Sequence, residues 1–286
     1  MNNPFDILLE PAEEKSTHTA TVKLIEASGP YRLGPPTRPP IEHDNGHLGS
    51  FPSREPTAAD RVQFAKWVAM LEGSELLCSK GSAGVISACR GEDLSDANAA
   101  YRHFLFGKGA DRTLNYERFL ADDPSGRKVI PSIMQELQRH AEIIGKDRMK
   151  FSITSKAFAV GNSGVAPYPE TENWQKAIGA HNLWVSADVS VSANKAGELH
   201  YTADVQIHME DRYNFNPGQS DIATGIPDSA NGTFEITGLA KQYMNYATVR
   251  RQITWREGAW STSSATGAPT NRQRKPNDNR RLRNRI

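Results

Sequence analysis

A chain of 286 residues is long enough to bury a full core, as one domain with appendages or as two small domains. Hydrophobic residues make up 37% of it and thin out at both ends, and no window approaches the roughly 18 uninterrupted apolar residues of a membrane-spanning helix. The formal net charge is +1, the start lacks the basic and apolar runs of a secretory signal, and two cysteines, Cys78 and Cys89, are too few for a disulfide framework and match no common zinc spacing. They read as two unpaired thiols or as one bridge formed after export, and if the protein leaves its cell it does so by another route.

Residues 1–56 read as an extended, Pro-rich leader. Pro30, Pro35, Pro36, Pro39, Pro40, Pro52 and Pro56 remove donors and push their neighbours toward extended backbone, which leaves only Thr19 to Ile25 as a candidate strand. A helical region follows over 57–149. Thr57 and Asp60 form a capping-box-like start, Phe64, Trp67, Val68 and Leu71 share one helical face, and Gly73 is the expected stop. A glycine-rich stretch from Gly81 to Gly91 leads to a second helix from Ser95 to Gly107. A third starts at Pro131, aligns Ile133, Leu137, His140, Ala141 and Ile144, and closes at Gly145.

After Lys150 the period changes from that of a helix to that of a strand. Leu183, Val185, Ala187, Val189 and Val191 alternate with polar residues, and Tyr201, Ala203, Val205 and Ile207 resume the alternation after a turn at Asn194 to Gly197. The pattern predicts a hairpin with one buried face and with Asp204, Gln206 and His208 on the other. A short helix from Ile236 to Tyr246 and a strand from Val249 to Trp255 complete a β-rich region over 150–260. Helices first and antiparallel strands second give an α+β fold, an N-terminal helical part followed by an antiparallel sheet or half-barrel. Residues 261–286 hold seven basic side chains and one acidic one between Arg272 and Arg285, with almost no large apolar residue, so they are expected to be disordered. No aromatic residue interleaves with those arginines to stack bases, which argues against a nucleic acid partner and leaves anionic lipid as the functional option for the tail.

Chemistry concentrates around Asp211. On an extended segment Asp211 and Tyr213 point the same way and Arg212 the other, so a carboxylate that can hold a divalent cation or orient water lies beside a phenol that can bond a phosphate oxygen. The plainer alternative is a polar turn capping a strand. His103, near a helix end, is read either as an imidazole tied to backbone near Gly107 or as a catalytic group. Gly107 and Gly109 lack the strand before and the Gly-Lys-Ser/Thr after of a phosphate loop, and are turn residues. Arg112 either pairs with Asp211, clamps a phosphate or forms an edge ion pair. His181 and His200 read as surface residues.

Two segments carry a family resemblance: His103-Phe104-Leu105-Phe106-Gly107-Lys108-Gly109-Ala110-Asp111-Arg112-Thr113-Leu114-Asn115 and Asp211-Arg212-Tyr213-Asn214-Phe215-Asn216. Together with Phe151 to Lys156 and Ala177 to Asn216 they make roughly residues 100 to 256 resemble the colicin M family. Its members kill bacteria by hydrolysing lipid II, the polyprenyl-linked cell-wall precursor. The resemblance implies catalytic roles around Asp211, Tyr213 and Asn214, substrate contacts from His103, Arg112 and Asn216, and Mg²⁺ held at Asp211. It further implies action in the periplasm of a target cell, an immunity partner, and a secretion machine, for which a type VI route would account for the absent signal. The family's second acid is Asn214 here, its His-Arg pair falls at Ser220 and Asp221, and no histidine follows His208. Three readings then stand: Asp221, Asp228 or His208 takes over as base, the substrate is a related one, or the chain only binds.

Overall fold

The computed structural model describes residues 29–78, 93–161, 166–221, 227–260 and 264–266. The expected strand at Thr19 to Ile25, the glycine-rich stretch, Cys89, the side chain of Cys78 and the tail beyond Thr266 lie outside the described residues. No described helix is long and apolar enough to cross a membrane.

The leader is not a linker throughout. Its Tyr31–Leu33 forms β1, antiparallel to Ser155–Ile153, and Tyr31 is buried in the main core. Prolines are compatible with this because an edge strand pairs on one side only. Residues 35–45 then cross the sheet and lead into a short helix, α1 (Gly46–Ser50). The capping box is reciprocated: Thr57 Oγ1 accepts the Asp60 N–H at 3.2 Å and Asp60 Oδ2 accepts the Thr57 N–H at 2.7 Å. The helix it opens, α2 (Ala58–Cys78), runs past Gly73, whose surroundings are open and which is followed by the good helix formers Glu75, Leu76 and Leu77.

The second expected helix is α3 (Ser95–Phe106), and two short strand residues, β2 (Arg112–Thr113), follow it. The sequence pattern missed α4 (Tyr116–Asp122), about two turns that bury Tyr116, Phe119 and Leu120. It also placed the next helix late: α5 spans Gly126–Gly145 with Pro131 inside. Asp123 sets that earlier start, since its Oδ1 accepts the Ser125 N–H at 2.9 Å and the Ser125 hydroxyl at 2.6 Å just before the first turn. The apolar face of α5 is buried as expected.

Strands β3 (Lys150–Ser155) and β4 (Phe158–Val160), helix α6 (Glu172–Ala177) and the hairpin β5 (His181–Ala193) and β6 (Leu199–Tyr213) come next. The expected helix at Ile236 to Tyr246 is instead the end of α7 (Ser229–Ile236) followed by β7 (Tyr243–Arg256). Tyr243, Asn245 and Ala247 alternate into the interior, and their register against Tyr213, Asp211 and Met209 extends the strand backward. Ser264–Thr266, within the stretch expected to be disordered, forms β8 on β7. The sheet runs β1-β3-β5-β6-β7-β2, with β4 on β5 and β8 on β7; every pairing is antiparallel except β2 with β7. This is an α+β fold.

Two apolar clusters result. The larger joins α4, α5 and α6 to the inward residues of β5, β6 and β7. The smaller packs Leu71, Phe104, Leu105, Phe234 and Tyr243 between α2, α3 and α7. Tyr213 packs against both, so the end of β6 lies at their seam.

Candidate active site at the end of β6

Register places the central residues. Asp211 on β6 is opposite Asn245 on β7, and Asn245 is in turn opposite Arg112 on β2, so the three stand in one row across three strands. Tyr213 and Tyr243 form the next pair along, stacked with centroids 5.1 Å apart. The period of two that put Asp211 and Tyr213 on one face holds, yet neither sits on an exposed loop. Asp211 is 8% exposed within β6, and the strand continues through Tyr213 because β7 pairs that far.

Burial governs the titration here. Asp211 has one side-chain donor, Asn245 Nδ2 at 3.3 Å, and burial lifts its carboxyl to about 7 against that bond, with the charge of Asp44 adding to the rise. The Tyr213 phenol is raised well above its ordinary value by burial, and the Tyr243 phenol upward by the same cause; Arg112 pulls both back. Arg112 is thus directed at the two phenols, and among the described residues no ion pair joins it to Asp211. Its Nη1 is buried without a hydrogen-bond partner, as is Asn245 Oδ1 on a side chain that is 0% exposed. Unsatisfied buried groups of this kind are costly in a resting protein and are suited to meeting a ligand. A guanidinium with a free N–H beside the Tyr213 phenol is a donor set for a phosphate oxyanion, whereas the Tyr243 hydroxyl already donates to the Ala100 carbonyl at 2.9 Å.

Other expected residues fall outside this row. His208 points to the opposite face of the sheet, stacked on Trp184 at 3.7 Å, bonded to Ser186, and lowered to about 4 by burial, so it is not the base of this site. His103 donates from Nε2 to the Ala110 carbonyl at 2.7 Å and presents its ring edge to Tyr243 at 4.4 Å; it supports the turn and the tyrosine from behind. His181, expected at the surface, is a core residue between Tyr116 and the Gly179 carbonyl, lowered to about 4 by burial. Asn216 lends its backbone N–H to the Asp228 carboxylate. Asp221 lies 3.4 Å from Lys176 Nζ, and its charge, with those of Asp211 and Asp228, raises the Tyr168 phenol beyond the effect of burial, which places the three acids around one side chain.

The site also contains residues that sequence reasoning missed. Tyr243 and Asn245 were hidden by reading β7 as a helix at its start, although Tyr243, Asn245, Ala247 and Val249 already alternate. The leader supplies more. Arg38 forms a two-pronged ion pair with Glu210, Asn45 accepts from Arg212, and Asp44 accepts the Asn214 amide at 2.5 Å. His47 donates from Nδ1 to the Phe215 carbonyl at 2.8 Å. For Asp44, Asn45 and His47 the signal was a proline-free run from Ile41 to Phe51 within a proline-rich stretch; Arg38, directly before Pro39, had none. Glu235 on α7 is lifted to about 8 by burial, against the pull of the Phe215 backbone N–H and with the charges of Asp228 and Asp44 adding to the rise.

No group of three or more His, Cys, Asp or Glu side chains among the described residues has the arrangement of a metal site. Mg²⁺ commonly takes only one or two protein carboxylates and completes its shell with water and phosphate oxygens, and a desolvated Asp211 with a single donor fits that partial role.

No family model matches this chain, and no curated protein matches it. Among solved structures it is similar to PaeM, a colicin M-like bacteriocin produced by Pseudomonas aeruginosa, at 14% identity and a TM-score of 0.36 over 57% of this chain and 52% of that one. It is also similar to truncated bacteriocin syringacin M from Pseudomonas syringae pv. tomato DC3000, at 16% identity and a TM-score of 0.31 over 57% of this chain and 61% of that one. The relationship to colicin M-like bacteriocins is a distant structural one, and the match spans between half and two thirds of their length.

Proposed function

We propose that this protein is an antibacterial toxin that hydrolyses the ester between the polyprenyl chain and the pyrophosphate of lipid II, acting at the outer face of the inner membrane of a target bacterium. The observation that carries the reading is the row Asp211, Asn245, Arg112 beside Tyr213 and Tyr243, where a carboxyl raised to about 7 adjoins an unpaired guanidinium N–H fit for a phosphate. The resemblance of residues 103–115 and 211–216 to the colicin M family supports the choice of substrate. Arg112 and the Tyr213 phenol would hold the phosphate oxygens, with Tyr243 stacked behind Tyr213, and Asp211 would hold Mg²⁺ when it is bound. Bound Mg²⁺ supplies charge neutralisation for the pyrophosphate leaving group. An immunity partner and a type VI delivery route belong to the same proposal.

Incubation of the purified protein with lipid II and Mg²⁺ tests this directly, with released polyprenol as the expected product. A second reading, a binding protein without turnover, is favoured by one observation: Asn214 stands where the family has its second acid and is engaged by Asp44. Retention of intact lipid II by the protein, with no polyprenol formed, would select it.

A further inference from the structure

The leader crossing β6 carries a histidine that the preceding reading does not use. Both the His47 backbone N–H, at 3.1 Å, and its Nδ1, at 2.8 Å, are directed at the Phe215 carbonyl. A carbonyl only accepts, so Nδ1 carries a hydrogen, and Nε2 is the ring nitrogen left for exchange with a ligand or water. The ring is fixed by packing as well. Phe51 stacks on it at 5.6 Å, and the backbone of α7 abuts it at Gly232, where any Cβ would fall within the ring's own volume. Asp228, the residue that precedes α7, feels His47 as a nearby positive partner, while burial and Asp221 push its carboxyl the other way. Glu235 faces the same region from α7, and Asp44, on the same leader segment, is bound to Asn214.

We infer that His47 is the proton carrier of this site: Nε2 accepts a proton from the water that attacks phosphorus, and Asp228 holds the imidazolium that forms. The assignment rests on the phosphoester reading given above. In the step, the water oxygen bonds to phosphorus while the P–O bond to the polyprenyl oxygen breaks. The departing oxygen takes a proton from solvent and His47 later returns its own, giving polyprenol and a pyrophosphate-linked glycopeptide, with the second water hydrogen left on the phosphate. Without His47 the same geometry binds substrate but has no imidazole to move the proton.

His47→Asn separates a chemical role from a structural one, because its side-chain amide can still donate to the Phe215 carbonyl but cannot carry a proton. The expected result is a variant with wild-type thermal stability and a KM within about threefold, whose kcat for polyprenol release falls on the order of 10²- to 10⁴-fold. A second variant, His47→Ala, should regain part of its turnover with added imidazole. Full kcat in a folded His47→Asn protein, or no imidazole rescue of a folded His47→Ala protein, overturns the assignment and leaves the phosphoester reading standing. A wild-type protein that releases no polyprenol overturns both.

Discussion

The Asn214 amide donates to the Asp44 carboxylate at 2.5 Å, across 170 residues of sequence. The same carboxylate accepts the Gly46 N–H at 2.9 Å, so one acid both turns the leader and fastens it to the strand beyond Asp211. Its charge contributes to the raised carboxyl of Asp211. A neutral amide at 214 is what permits this: an acid there would face Asp44 at hydrogen-bond distance.

Asn214→Asp should therefore destabilise the protein at pH 7 by about 1–3 kcal/mol, since it exchanges a charge-assisted hydrogen bond for like-charge repulsion. The exchange Asn214→Asp with Asp44→Asn should restore most of that loss. Denaturant titration of the single and paired variants measures the coupling, and an additive pair would show that the two side chains do not meet in solution.

Asp211→Asn should abolish most turnover without lowering stability. A carboxyl raised from 3.8 to about 7 keeps in the folded state a proton that the unfolded chain has lost. Wild-type stability contributed by this residue therefore declines as pH rises between those two values and stays at its lower level above them. Relative to the wild type, the Asn variant should gain on the order of 2–4 kcal/mol by pH 8 and little at pH 4. Melting temperatures of the two proteins across that range decide it; a constant gap would mean that Asp211 is not desolvated.

Gly232→Ala should cost about 1–3 kcal/mol through overpacking against the His47 ring, and pairing it with His47→Ala should recover part of that. Thermal unfolding of the single and double variants checks the contact independently of any assay of activity.

His208→Phe should leave turnover within about twofold, because the ring stacks on Trp184 on the far face of the sheet and an aromatic replacement preserves that stack. A large loss of kcat would place the far face in the reaction.

A copy directed to the periplasm should lyse a bacterium, whereas a cytoplasmic copy should be tolerated, because the lipid-linked glycan is displayed outside the inner membrane. Growth curves for the two copies test the place of action. Equal toxicity would point to a different target.

Periodicity made the hairpin, the face of α5 and the capping box legible, because each depends on side chains close in sequence. It also put Asp211 and Tyr213 on one side of the chain. What it could not convey was depth: nothing local marks Asp211 as buried until β7 is extended back to Tyr243 to cover it. Asn245, Asp44 and His47 come from elements far away in sequence, and composition actively disguised the last two, since prolines that argue for a linker suit an edge strand and a surface crossing equally well. His208 shows the converse, a residue near Asp211 in sequence that strand alternation sends to the other face.

The leader is made first and docks late. Arg38 meets Glu210 and Asp44 meets Asn214 across 172 and 170 residues, and the strand that pairs with that part of β6 ends only at Arg256. Closing loops of that length waits on nearly the whole chain, so a ribosome-bound fragment carries the leader without the surface that receives it. A cell making this protein thus holds a nascent chain whose row across β6, β7 and β2 does not yet exist until synthesis has passed β7. Protease digestion of stalled chains of increasing length should show residues 38–51 becoming protected only once β7 has emerged.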